Sequence, residues 1–122
     1  MKGRIKLLIA DGQPGEKSPG IKAEGIEIPD HEVPIFLETD EDLSGLVGKA
    51  KLSLEKNVLY ATVDILDTRI PKETPPLYPC AVLVVTERGG NVVTRCVVKH
   101  IALSISKNVD SRIKPLTEQG TK

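Results

Sequence analysis

The sequence predicts a mostly β domain: a small antiparallel barrel or sandwich with long Pro/Gly-rich loops. Three observations carry this expectation. Apolar and polar residues alternate on either side of Lys56-Asn57, the period of strands with one buried face. A continuous apolar run, Ala81-Val82-Leu83-Val84-Val85, turns back through Arg88-Gly89-Gly90-Asn91 into a second apolar run that starts at Val92. Helical periodicity is almost absent: Glu38 to Leu46 supports at most one turn, with Asp40 or Ser44 as a cap.

Taken in chain order, the first apolar stretch is Ile5-Lys6-Leu7-Leu8-Ile9-Ala10. It is too short and interrupted for the core of a signal peptide, and no stretch approaches the ~18 residues of a membrane helix, so a cytoplasmic place of synthesis is expected. Asp11 to Lys22 is rich in proline and glycine and reads as a long exposed loop. Ala50, Leu52 and Leu54 then share one strand face, and after Lys56-Asn57 so do Leu59, Ala61, Val63 and Ile65, which makes a β-hairpin over about 48–66.

Thr68 to Pro79 carries Pro71, Pro75, Pro76 and Pro79 and is expected to lie outside any central strand, because proline cannot donate to a ladder. The run from Ala81 to Val85 reads as a strand buried on both faces. Its return strand changes phase: Cys96 and Val98 set one alternation, Ile101, Leu103 and Ile105 the other, and the switch at Lys99-His100 predicts a β-bulge or bend. Beyond Pro115 the chain turns polar. The expected organisation is a single β domain over 1–115 and a flexible C-terminal tail over 116–122. The two long loops and the tail are the segments expected to touch a partner.

The chain has 122 residues, enough for one domain to bury a core without staples. Its 17 basic and 17 acidic residues give a net charge of +0, and no basic cluster suits a phosphate backbone. An aromatic content of 2% with no Trp removes the usual platform for stacked bases, so no nucleic acid partner is expected. Cys80 and Cys96 form no disulfide framework; both lie in strand-like runs and read as small buried hydrophobes, and their proximity across a sheet stays open.

Nucleophilic catalysis needs a nucleophile beside a base that a third group holds. His31 and His100 are the two histidines: His31 sits in a solvated Asp30-His31-Glu32 triplet, and His100 falls on the expected bulge. The cysteines and histidines lack metal-ligand spacing, and Gly12-Gln13-Pro14-Gly15 has a proline where a phosphate loop needs amides. No catalytic, cofactor-binding or metal residue is assigned from these patterns.

Two segments resemble one family. Val33-Pro34-Ile35-Phe36-Leu37-Glu38-Thr39-Asp40, with Leu46-Val47-Gly48-Lys49-Ala50 and Val58-Leu59-Tyr60-Ala61, looks like the core of the tailed-phage prohead maturation proteases. Val98-Lys99-His100-Ile101-Ala102-Leu103-Ser104, with Asn108 to Ile113 after it, is similar to that family's late strand and exit. The matches cover roughly 33–66 and 92–113, in the family's order. The departures fall on the chemistry. The family's base histidine aligns with Thr39, and no serine stands between Pro75 and Ala81, where the nucleophile belongs; Cys80 is the only nucleophile there. The chain also lacks the length for the helices that cover the family's barrel.

The resemblance therefore implies the fold and a phage-head setting without proteolysis. It implies a non-enzymatic virion protein of the capsid decoration or cement kind, assembled in the host cytoplasm, with the major capsid protein as partner and a dimeric or trimeric state. The alternatives are a peptidase using Cys80 with His100, or an unrelated small β-barrel binding module.

Overall fold

The computed structural model describes residues 1–14, 19–37, 45–66, 76–105, 112–116 and 119. Eight strands form one mixed sheet: β1 (Lys2–Ile9), β2 (Gly20–Ile21), β3 (Ile26–Glu27), β4 (Val33–Leu37), β5 (Leu46–Glu55), β6 (Val58–Ile65), β7 (Tyr78–Gly89) and β8 (Val92–Ser104). A single 3-10 turn, Ala23–Gly25, separates β2 from β3. The sheet runs β1-β6-β5-β4-β8, with β7 on the far side of β8, and curls into a half-barrel. The small β fold predicted above is therefore present.

The β5–β6 hairpin follows from local pattern. Its register sets Ala50 against Val63, Leu52 against Ala61 and Leu54 against Leu59. All of these are buried but the half-buried Leu54, and the alternate positions carry Lys49, Lys51, Ser53 and Glu55 into water. Lys56 makes the turn with φ of 55°, a left-handed conformation that costs an L-residue about 1 kcal/mol and that the hairpin holds in place.

The second hairpin bends where the phase switch predicted. Val82 faces His100 and Leu83 faces Val98, which leaves Lys99 as the extra residue of a β-bulge. Two further irregularities, at Thr86 and Thr94, bend the distal part of this hairpin. The bulges let Val93, Cys96, Val98, Ile101 and Leu103 all reach one core from a 13-residue strand. That core joins them to Ile5, Leu7, Val33, Ile35, Val47, Leu59, Ile65 and Leu116.

β8 is the spine. β7 pairs with it antiparallel, whereas β2, β3 and β4 lie along its other edge in parallel. The 3-10 turn packs tightly there: a Cβ on Gly25 would stand 1.8 Å from the Thr94 carbonyl oxygen, so only glycine fits.

Three expectations need correction. The run from Ala81 to Val85 is not buried on both faces, because β7 is an edge strand; Val84 and Val85 are 48% and 45% exposed. The Asp11–Lys22 segment is not simply an exposed loop. Gly20 is buried, the Gly12 N–H donates to the Ile21 carbonyl at 2.9 Å, and the Lys22 N–H donates to the Val93 carbonyl at 3.0 Å. The pairings to β8 make the sheet mixed, not wholly antiparallel. Most of the Thr68–Pro79 loop, and most of the single turn expected over Glu38–Leu46, lies outside the described residues.

The sheet edges, β1 and β7, approach without pairing, and the C-terminal segment spans them. Leu116 is 5% exposed and its N–H donates to the Leu77 carbonyl at 2.8 Å. The Gln119 carboxamide acts as a one-residue strand on β1. Its Oε1 accepts from the Lys6 N–H at 2.7 Å, and its Nε2 donates to the Lys6 carbonyl at 3.1 Å. The core thus reaches at least one residue into 116–122.

Candidate functional site

The two outer walls of the half-barrel differ in chemistry. On the β1–β6–β5 wall the outward positions form cross-strand rows: Lys2, Asp64 and Lys49; Arg4, Thr62 and Lys51; Lys6, Tyr60 and Ser53. Arg4 pairs with Glu55, and its guanidinium carbon lies 3.8 Å from the centre of the Tyr60 ring. This wall is what water should face.

On the β4–β8–β7 wall the inward rows are Ile35, Ile101 and Ala81, then Leu37, Leu103 and Pro79. The outward row between them runs Leu46, Phe36, Ala102 and Cys80 across four strands. Further along β8 the outward pairs are His100 with Val82 and Val97 with Val84. An outer face should be polar under the alternation rule; this one is mostly apolar, and its described titratable rings are Tyr78 at one end and, within it, His100. Phe36, the chain's single Phe, stands edge-on to that ring, 5.2 Å between centroids at 82°. Beyond Leu46 the wall continues into a groove of about 440 Å³ lined by Pro34, Leu46 and Leu66. Glu32 and Lys49, 3.4 Å apart, rim that groove.

Sequence reading missed this wall, since an apolar run on an edge strand has the composition of a buried one. Two signals stood beside the run. Pro79 precedes it and Thr86-Glu87-Arg88 follows, both marks of an edge.

The sequence candidates distribute as follows. Cys80 is exposed on the outer wall, which corrects its reading as a small buried hydrophobe; Pro79, its neighbour, is the residue that turns inward. Cys96 is buried, and burial pushes its thiol pKa up. The two cysteines are not cross-strand partners: Cys80 faces Ala102, and Cys96 faces Val85. Cys80 and His100 are diagonal neighbours on the same face, since His100 stands two residues before the Ala102 that Cys80 faces. His31 lies in an exposed loop, its Nδ1 3.6 Å from Asp30. Thr39, at the position of the family's base, lies outside the described residues.

Comparison of the chain with family models, with curated proteins and with solved structures finds no match in any of the three.

Proposed function

We propose that this domain is a non-enzymatic virion protein that decorates and stabilises a phage capsid, with its apolar outer wall seated on the major capsid protein. The contrast between the two walls carries the reading: a charged face for solvent and an apolar face for a partner on one small sheet. The prohead-protease resemblance of 33–66 and 92–113 supplies the setting, and the departures at Thr39 and over Pro75–Ala81 argue against proteolysis.

Size supports a docking role in a repeated assembly. With strands ~4.8 Å apart and outward residues ~7 Å apart, the wall covers on the order of 300 Å². A stable binary interface uses roughly 800 Å² per partner, so this wall suits one contact among several on a lattice.

Purified virions test the reading. The protein should be present at a copy number near that of the shell protein. A Phe36→Ser, Val82→Ser variant should fold normally yet be lost from particles. Absence of the protein from particles, or retention of that variant at full occupancy, would sink the proposal.

One observation favours a second reading, a peptidase built on Cys80 and His100: the two are diagonal neighbours on an exposed face. Under that reading, Cys80→Ala and His100→Ala would each abolish a peptidase activity while folding stays intact.

A further inference from the structure

The charged wall carries an excess of one sign. Outward positions of β1, β5 and β6 hold five basic residues, Lys2, Arg4, Lys6, Lys49 and Lys51, against two acids, Asp64 and Glu55, on a chain whose net charge is +0. No single stretch of sequence contains this cluster; the pairing of β1 to β6 and of β6 to β5 assembles it. Its two acids are already engaged: Asp64 lies 4.0 Å from Lys2, and Glu55 pairs with Arg4. Glu32 reaches Lys49 at 3.4 Å from the border of the wall. Among the described residues no ion pair reaches Lys51, which is exposed, or Lys6, which is half-buried.

The balancing charge is concentrated elsewhere. Residues 23–48 hold eight of the 17 acidic residues and no lysine or arginine. Glu24, Glu27, Asp30 and Glu32 of that stretch are exposed; the other four lie outside the described residues. Glu24 and Glu27 flank a cleft of about 380 Å³ beside β8. Arg95 lines the same cleft, but it lies 3.8 Å from Glu87. Among the described residues no ion pair reaches Glu24 or Glu27.

We infer that the basic wall of one copy of this chain takes the acidic flank of another, with Glu24 and Glu27 of the second copy set among Lys51, Arg4 and Lys6 of the first. A second copy is the occupant because the surface complementary in charge to the wall is on the same chain. The spacing fits. Lys51 and Arg4 stand about 10 Å apart across the row through Thr62, and Arg4 and Lys6 about 7 Å apart along β1. Glu24 and Glu27, three residues apart in sequence, can be separated by no more than about 10 Å, so both fall within that triangle. Exposed ion pairs are individually weak, so the contact in solution has a Kd on the order of 1 mM. It joins two different surfaces, so copies can repeat it in rows, where effective concentration strengthens it. The contact uses neither the capsid reading nor the apolar wall.

Sedimentation equilibrium of the chain at up to about 1 mM tests this. The protein should self-associate at about 10 mM salt, where charges act over ~30 Å, and the Kd should weaken at least tenfold at about 0.3 M. Lys51→Glu should weaken association at least fivefold, and so should Glu24→Lys with Glu27→Lys, each with an unchanged circular dichroism spectrum. Mixing these two variants should restore association, because each supplies the surface that the other has lost. Lys99→Glu, which changes net charge equally but away from the wall, should leave the Kd unchanged, as should the Phe36→Ser, Val82→Ser variant that tests docking of the apolar wall. A monomer at low salt, an association that salt leaves intact, or a mixture no stronger than either variant alone overturns the inference.

Discussion

Replacing Gln119 tests whether the C-terminal segment closes the seam between the sheet edges. The carboxamide makes three hydrogen bonds: from the Lys6 N–H at 2.7 Å, to the Lys6 carbonyl at 3.1 Å and to the Lys114 carbonyl at 2.9 Å. Each contributes about 0.5–1.5 kcal/mol net, while freeing the side chain returns up to about 2 kcal/mol of rotamer entropy. The site is half-buried, and water replaces part of what is lost. Gln119→Ala should therefore cost about 1–2 kcal/mol, roughly 3–8 °C in Tm. Gln119→Glu is the sharper probe. Its carboxylate still accepts from the Lys6 N–H but sets negative charge against two carbonyl oxygens, so at pH 7 it should cost more than alanine. Protonation restores a donor, so the variant's folded pKa is raised. Its stability relative to wild type is then greatest below the unfolded value of about 4.3 and falls as pH rises through the folded one. Urea titrations at pH 7 and pH 3 measure both effects. A Glu variant as stable as the Ala variant at pH 7, or both matching wild type, would refute the strand-mimic reading.

Three further outcomes follow from the same geometry. Iodoacetamide should label Cys80 rapidly in the native protein and Cys96 only on unfolding, since one is exposed and the other buried with a raised thiol pKa; equal native labelling would contradict the face assignment. Gly25→Ala should destabilise by about 2 kcal/mol or more in urea, because its Cβ would stand 1.8 Å from a backbone oxygen that cannot yield cheaply. The Arg112 hydrogen bond holds the Asp11 carboxyl below its ordinary pKa, so this contribution is full above the unfolded value and lost as pH falls through the folded one; the stability gap to Asp11→Asn should close in acid.

What could be read in the sequence was what local periodicity encodes. The β5–β6 hairpin was legible because one alternation runs unbroken on each side of a polar turn, and the Lys99 bulge because it leaves a phase error between Val98 and Ile101. β1 was not legible as a strand: the irregularity at Leu7 sets Leu7 and Leu8 side by side and destroys the alternation of Ile5. β2 and β3 have two residues each and exist only because β8 offers them an edge. The outer wall was invisible for a deeper reason. Periodicity reports which positions are apolar, and an apolar position turned toward a partner leaves the same trace as one turned toward the core.

That ambiguity is open to a direct experiment, because the same substitution falls on both faces of one hairpin. Valine to threonine keeps the shape of the side chain and adds a hydroxyl. At Val84, 48% exposed on the outer wall, the hydroxyl keeps its water, and stability should change by less than about 0.5 kcal/mol. At Val98, 1% exposed against Leu83, the hydroxyl loses water without a designed partner, at a cost of about 1–3 kcal/mol. Val84→Thr should also remove apolar surface from the wall, so it should lower occupancy in particles without lowering the urea midpoint. Val98→Thr should lower the midpoint first. Equal destabilisation by the two changes would mean that the wall is a second core face covered by this chain itself, and the docking surface would fall.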